Sequence, residues 1–287
     1  MRRLFPVLGL ITAVLLSYAL YAALVLAPTE ATMGDVQRIF YYHVPSAWTA
    51  FLLFFINLVA SIQFLVRPSP AGDKIANWIV LGVCGLVFVG AFFARPWLPA
   101  GTEPSAVATT GLGIAGIYFL IRRYFPDQRA DVLALVSAEV GVVFCTIVLV
   151  TGPIWARPVW GIWWTWDLRL TLTLVLWLIY VSYLVLRKFS SSTQTPKMAA
   201  VLAVFGALDI PLVYFSIWFF RTQHPSPVIG GGGSLDPRMA RILLLNWLAF
   251  LCFAFLVCWS RFRLEVLQRE VEETAALEAL LEPRGTR

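Results

Sequence analysis

The chain has 287 residues, of which 60% are hydrophobic and only 13% charged, with a formal net charge of +6. A soluble domain of this size needs more polar residues on its outside, so the composition excludes one. The basic residues are scattered between apolar blocks and form no patch of the kind that binds nucleic acid.

Apolar blocks lie near 5–27, 45–66, 75–95, 105–122, 130–151, 166–187, 197–220 and 240–260. Their lengths are those of membrane-spanning helices, not of the short alternating strands of a transmembrane barrel. The expected fold is all-α, a polytopic transmembrane helix bundle of about eight spans. Met1-Arg2-Arg3 before the first block resembles a signal peptide. The apolar run continues to about Ala27, however, which is the length of a retained span. In GDVQRIFYYHVPSAW, Val36, Ile39, Phe40 and His43 fall on one helical face. That pattern predicts an interfacial helix, with Pro45 turning the chain into the second span. The block 105–122 is short and holds Gly111, Gly113 and Gly116, which membrane helices tolerate.

Two blocks carry an acid, Glu139 in 130–151 and Asp209, ahead of Pro211, in 197–220. A carboxyl within a bilayer is costly and is a functional candidate by default. The alternative is a structural hydrogen bond, at Asp209 to backbone freed by Pro211. Cys84, Cys145, Cys252 and Cys258 all lie inside apolar blocks and form no C-x-x-C, which reads as small core residues. From Arg261 onward, RFRLEVLQREVEETAALEALL is charged and rich in helix formers. It reads as a cytoplasmic amphipathic helix, a short coiled-coil arm or a solvated extension. The organisation is therefore a membrane domain, 1–260, and a tail, 261–287.

Lys74, Lys188 and Lys197, the only lysines, and most arginines fall on the side of the N-terminus. The positive-inside rule then makes both termini cytoplasmic and puts the loops 28–44, 96–104, 152–165 and 221–239 outside. His43, the tryptophan-rich stretch 155–171 and His224 share that outer face.

The stretch WARPVWGIWWTWDLRLT holds Trp155, Trp160, Trp163, Trp164 and Trp166 together with Arg157, Asp167 and Arg169. A wide, flat, partly polar ring system suits such a surface. The chain's two histidines, His43 and His224, flank the stretch in sequence. Two imidazoles make a poor zinc site, which wants four ligands. They do complete a six-coordinate haem, because the porphyrin supplies four nitrogens. Arg38, Arg157, Arg169 or Arg221 would then pair with the propionates. The plainer alternative is an interfacial tryptophan belt with histidines that only hydrogen-bond.

These residues resemble a family. WGIWWTWDLRLT is similar to the tryptophan-rich signature of the haem-handling proteins of cytochrome c biogenesis, and within it to the CcmC type, often called haem exporter protein C. RIFYYHVPSAW and DIPLVYFSIWFFRTQH resemble that family's two histidine segments, in the same order around the tryptophan signature. The resemblance implies non-covalent haem b, with His43 and His224 as axial ligands. Trp155, Trp160, Trp163, Trp164, Trp166 and Asp167 would form a platform, with Arg38 and Arg169 foremost at the propionates. It implies an inner-membrane protein without catalytic turnover that delivers haem to a periplasmic haem chaperone. An ATP-binding cassette complex takes part in that step. It also implies a six-span core, which makes 68–128 an inserted two-helix hairpin. Two other classes predict different features. A haem–apocytochrome c synthase would bring further histidines or a large outer domain, and a transporter of a non-haem substrate would bring broken helices at mid-membrane.

Overall fold

The computed structural model describes residues 4–66, 104–125, 128–190, 192–220, 222–225 and 235–281. Among these residues the regular structure is helical, apart from one isolated bridge between Glu30 and Gly34. Helix α1 is Leu4–Tyr21, continued by a π-helical turn, Ala22–Leu26. A 3₁₀ turn, Asp35–Ile39, leads into α2, Phe40–Leu65. Then follow α3, Pro104–Tyr124, α4, Gln128–Trp160, and α5, Leu168–Phe189. Helices α6, Thr195–Ala207, and α7, Asp209–Phe219, are nearly continuous, and α8 is Pro237–Leu281. Six stretches of described helix are long and apolar enough to cross a membrane, one of them formed by α6 and α7 together. This is a multi-pass membrane protein. The expected span 75–95 lies outside the described residues, and 105–122 is present as α3.

Three helix boundaries differ from the sequence expectation, and each involves proline. Pro45 does not turn the chain into the second span. It lies within α2, which continues directly from the 3₁₀ turn, so 35–44 is the start of the second helix and not a separate interfacial one. Pro153 and Pro158 lie within α4, which runs on to Trp160. In a membrane helix neighbouring groups re-satisfy the backbone that proline frees, so the helix survives it. At Pro211 the chain does break. The turn at Leu208 separates α6 from α7 just where the Pro211 ring would crowd the preceding turn.

The centre of the bundle is the antiparallel pair of α2 and α4, the most extensive helix contact in the protein. Helix α8 packs on α2, α1 and α4, and α5 packs on α4, α6 and α7. Helix α3 touches the core mainly along the edge of α2, where Tyr118 and Ile121 meet Val59, Ala60 and Ala134. Gln63 Nε2 donates to Phe125 O at 2.7 Å, so the chain beyond α2 returns beside the point where it left. Within the pair, Asn57 is fully buried and donates to Ala134 O at 2.7 Å. Phe54 lies flat on Tyr180 of α5, with ring centroids 3.8 Å apart.

The end of the bundle remote from His43 is held by ions. Asp131 at the start of α4 accepts two hydrogen bonds from Arg187 of α5, at 2.5 and 2.8 Å, and pairs with Arg269 of α8 at 3.0 Å. Glu139 is paired with Arg261 of α8 at 2.9 Å, which gives this intramembrane acid a structural partner. Asp209 is different. It is buried and makes no hydrogen bond among the described residues, so the expected bond to backbone near Pro211 is not formed.

Gly141 of α4 is what lets Phe54 fit. A Cβ there would lie 2.7 Å from Phe54 Cε1, and that ring is clamped against Tyr180. Gly141→Ala is expected to cost about 1–3 kcal/mol by overpacking. A thermal melt of the detergent-solubilised protein checks this; an unchanged melting temperature would contradict the packing described.

Candidate functional site

The end of the bundle opposite the ion pairs gathers residues from four parts of the chain. His43 lies in the first turns of α2, and Thr151 to Trp160 form the last turns of α4. Gly161 to Asp167 connect α4 to α5, and residues 222–225 follow α7. Trp155, Arg157 and Trp160 therefore project from helix, not from a loop. Gly161 ends α4 with a left-handed φ of +78°, and its N–H donates to Arg157 O at 3.0 Å. That is a glycine cap, and it aims the following residues away from the helix.

The two histidines share one protonation pattern. Thr151 donates its single hydroxyl proton to Ile147 O at 2.7 Å. It must therefore accept from His43 Nδ1–H, 2.8 Å away. His224 Nδ1 lies 2.9 Å from Pro225 O, a pure acceptor, so Nδ1 carries the proton there too. Nδ1–H on each ring leaves the lone pair on Nε2, the arrangement that second-shell partners impose on metal-binding histidines. Neither Nε2 has a hydrogen-bond partner among the described residues. The two imidazoles lie within electrostatic range of each other and of Arg169. A Cβ at position 152 would sit 3.4 Å from His43 Cε1, so Gly152 leaves that side of the ring uncrowded.

Asp167 joins two segments. Its Oδ1 caps α5 by accepting Arg169 N–H at 2.9 Å, and its Oδ2 accepts Gln223 N–H at 3.0 Å. The carboxylate thus acts as a bridge, where the sequence suggested a platform. Of the tryptophans, Trp163 and Trp166 are 59% and 76% exposed, while Trp155, Trp160 and Trp164 are half-buried. Trp155 meets Trp160 edge to face at 5.2 Å, and Trp164 meets Trp166 at 5.9 Å. Trp164 Nε1 is buried without a hydrogen-bond partner.

The arginines divide. Arg38 donates to Ala23 O at 3.0 Å and to Ala27 O at 3.3 Å, and pairs with Asp35 at 2.9 Å, so it closes off the end of α1. Arg157 donates to Gly161 O. Arg169 makes one side-chain hydrogen bond, to Val213 O at 3.3 Å, and has no carboxylate in ion-pair contact among the described residues. Arg221 lies outside the described residues.

Among the described residues no three His, Cys, Asp or Glu side chains gather to hold a metal ion. Two free Nε2 atoms, an unpaired cation and exposed indoles suit an anionic metal macrocycle that brings its own nitrogen ligands. Thr151 and Gln223 were missed in the sequence. Each acts through a partner far away in the chain, and the one local signal was Thr151 beside Gly152 and Pro153 at the end of an apolar run.

Burial, reinforced by the Arg169 charge, pushes the His224 imidazole down to about 4; the Pro225 hydrogen bond and the Asp167 charge oppose it. The unfolded chain takes up this proton near the ordinary 6.5, while the folded one does so only near 4. Stability from this group therefore falls as pH drops through that window. In ligand-free protein the ring-carbon resonance of His224 is expected to stay at its neutral position down to about pH 4. A titration centred near 6.5 would contradict this.

A family model described as Heme exporter protein C, CcmC, matches residues 1–95 and 103–277. The Heme exporter protein C of Bradyrhizobium diazoefficiens is 28% identical over 280 residues, covering 96% of this chain and 84% of its own length. That of Haemophilus influenzae is 25% identical over 277 residues, covering 94% and 87%. That of Escherichia coli K12 is 26% identical over 218 residues, covering 71% of this chain and 89% of its own. The family match includes most of the stretch 68–128 and omits 96–102.

Proposed function

The chain belongs to the heme exporter protein C family, and from that premise we propose that it binds haem b non-covalently and hands it on for c-type cytochrome assembly. His43 and His224 are the axial ligands, each through Nε2. The observation that carries this reading is that each ring engages its Nδ1, with Thr151 Oγ1 at His43 and the Pro225 carbonyl at His224, and so leaves its Nε2 for a ligand bond. Haem supplies the four equatorial nitrogens, and two imidazoles complete the coordination of its iron. Trp155, Trp160, Trp163, Trp164 and Trp166 provide aromatic surface for the macrocycle, and Trp164 Nε1 is a donor that lacks an acceptor among the described residues.

Arg169 is the main propionate partner, because its cation has no carboxylate in ion-pair contact among the described residues. Arg38 and Arg157 rank below it, since backbone carbonyls already engage them. Arg221 is assigned to the second propionate from its place beside the 222–225 segment. The distribution of Lys and Arg puts both termini in the cytoplasm and the haem site on the periplasmic face of the inner membrane. The recipient is a periplasmic haem chaperone, with an ATP-binding cassette complex taking part in the transfer. The role is binding and delivery, and no residue is assigned a bond-making step on haem.

Purified wild-type protein loaded with haem is expected to give a six-coordinate low-spin absorption spectrum. His43→Ala and His224→Ala should each turn it high-spin or lose the haem. Unchanged spectra in both variants, or a wild type that takes up no haem, would overturn the axial assignment. Arg169→Ala should weaken haem affinity at least about tenfold, the scale of one lost charge-assisted bond. Haem dimethyl ester, with its propionates neutralised, should erase that difference. A difference that persists with the ester would show that Arg169 acts elsewhere.

A further inference from the structure

We propose that Asp167 is the positioning residue that couples the tryptophan loop to the His224 ligand, so that displacing the loop frees His224 from iron while His43 remains bound. This rests on the reading of the two histidines as axial ligands. It assigns them unequal roles.

His43 is built into a rigid element. It sits in α2, and its ring is fixed from α4 by Thr151, whose own hydroxyl is tied to Ile147 O. Helices α2 and α4 form the most extensive contact in the protein. His224 lies in irregular chain after α7. Two hydrogen bonds within 222–225 give that segment its shape, from His224 N to Thr222 Oγ1 at 3.1 Å and from His224 Nδ1 to Pro225 O at 2.9 Å. Neither holds it against the rest of the protein. Among the described residues, its one hydrogen bond outward is Gln223 N to Asp167 Oδ2. The amide that makes it belongs to the residue next to His224.

The other side of that bond is the tryptophan loop. Asp167 follows Trp166, which is 76% exposed, and Trp163 nearby is 59% exposed. A partner that contacts these indoles therefore acts on the segment that ends in Asp167. From 162 to 166 this loop makes no hydrogen bond that would absorb such a displacement among the described residues. Asp167 itself stays at α5 through its other oxygen, which accepts Arg169 N–H. A movement of its carboxylate releases Gln223 and leaves the backbone bond from Thr171 N–H to Asp167 O, at 2.9 Å, to hold the first turn of α5.

Serine at 167 tests this directly. Serine is a good N-cap, so Asp167→Ser keeps the start of α5 and removes the oxygen that reaches Gln223. Asp167→Asn serves as the second variant, because it retains one acceptor oxygen and presents an N–H₂ group at the other position. The first readout uses the haem-free protein: amide exchange of a peptide covering 222–225 should accelerate about tenfold in both variants. Exchange in α2 and α4 should be unchanged, which also reports that the fold is intact. The second readout uses the haem-loaded protein. Both variants should retain haem, shift toward the high-spin form, and bind cyanide at least about tenfold faster than wild type. Adding Asp167→Ser to His224→Ala should change nothing further, whereas adding it to His43→Ala should abolish haem retention.

A low-spin spectrum and wild-type cyanide rate in both variants, with His224→Ala high-spin, overturns this proposal alone. Additive effects of Asp167→Ser and His224→Ala overturn it as well. A wild-type spectrum indifferent to His224→Ala overturns the ligand reading, and the positioning role falls with it.

Discussion

In a bilayer the hydrophobic effect does not press helices together, so the approach of α2 to α4 has to come from shape and hydrogen bonds. Here it comes from a missing side chain at Gly141, filled by the Phe54 ring, and from Asn57 donating across to Ala134 O. Both lie on the faces the two helices share, and α2 and α4 run antiparallel from there to the site end. That registry brings the start of α2 level with the end of α4, which is where His43 finds Thr151. The tautomer of His43 is thus a consequence of helix packing lower in the bundle.

The two ends of the bundle treat charge in opposite ways. At the remote end Glu139 is paired with Arg261, and the buried Asp131 has two partners, Arg187 and Arg269. Breaking such a pair strands an ion in a poorly hydrated place, so the network resists separation of α4, α5 and α8. At the site end Arg169 lies within electrostatic range of both imidazoles and has no carboxylate in ion-pair contact among the described residues. A poorly hydrated cation without a partner is costly, and the proposed propionate pairing would relieve that cost.

Much of the fold is legible in the sequence because a membrane demands long apolar helices, and hydropathy reports them directly. The site is legible in part. Two histidines and a tryptophan-rich stretch are conspicuous, and the parity of spans places them together. The errors cluster at proline. Pro45 reads as a turn into the second span, and the apolar block 130–151 ends ahead of Pro153 and Pro158, yet the helices continue through all three; Pro211, expected inside a single span, marks a break. Asp167, Thr151 and Gln223 carry roles that depend on contacts between distant segments, which no local pattern encodes. The arginines show the same limit. By residue type Arg38 and Arg169 look alike, and what separates them is the pairing of Arg38 with Asp35 and with the carbonyls of Ala23 and Ala27 after α1.

Helix α8 has 45 residues and, after Pro237, neither proline nor glycine. At 1.5 Å per residue it measures about 67 Å, more than twice the thickness of a bilayer core. Near one end Met239, Ile242 and Leu243 bear on Tyr41, two residues from His43. Further along, Arg261 and Arg269 are pinned by Glu139 and Asp131. Beyond them Val271, Leu277, Leu280 and Leu281 project free. Mechanically this is a single stiff beam. One end rests against the base of the first histidine, the middle is held by a pair of ionic pins, and the far arm, with its apolar side chains exposed, extends beyond them.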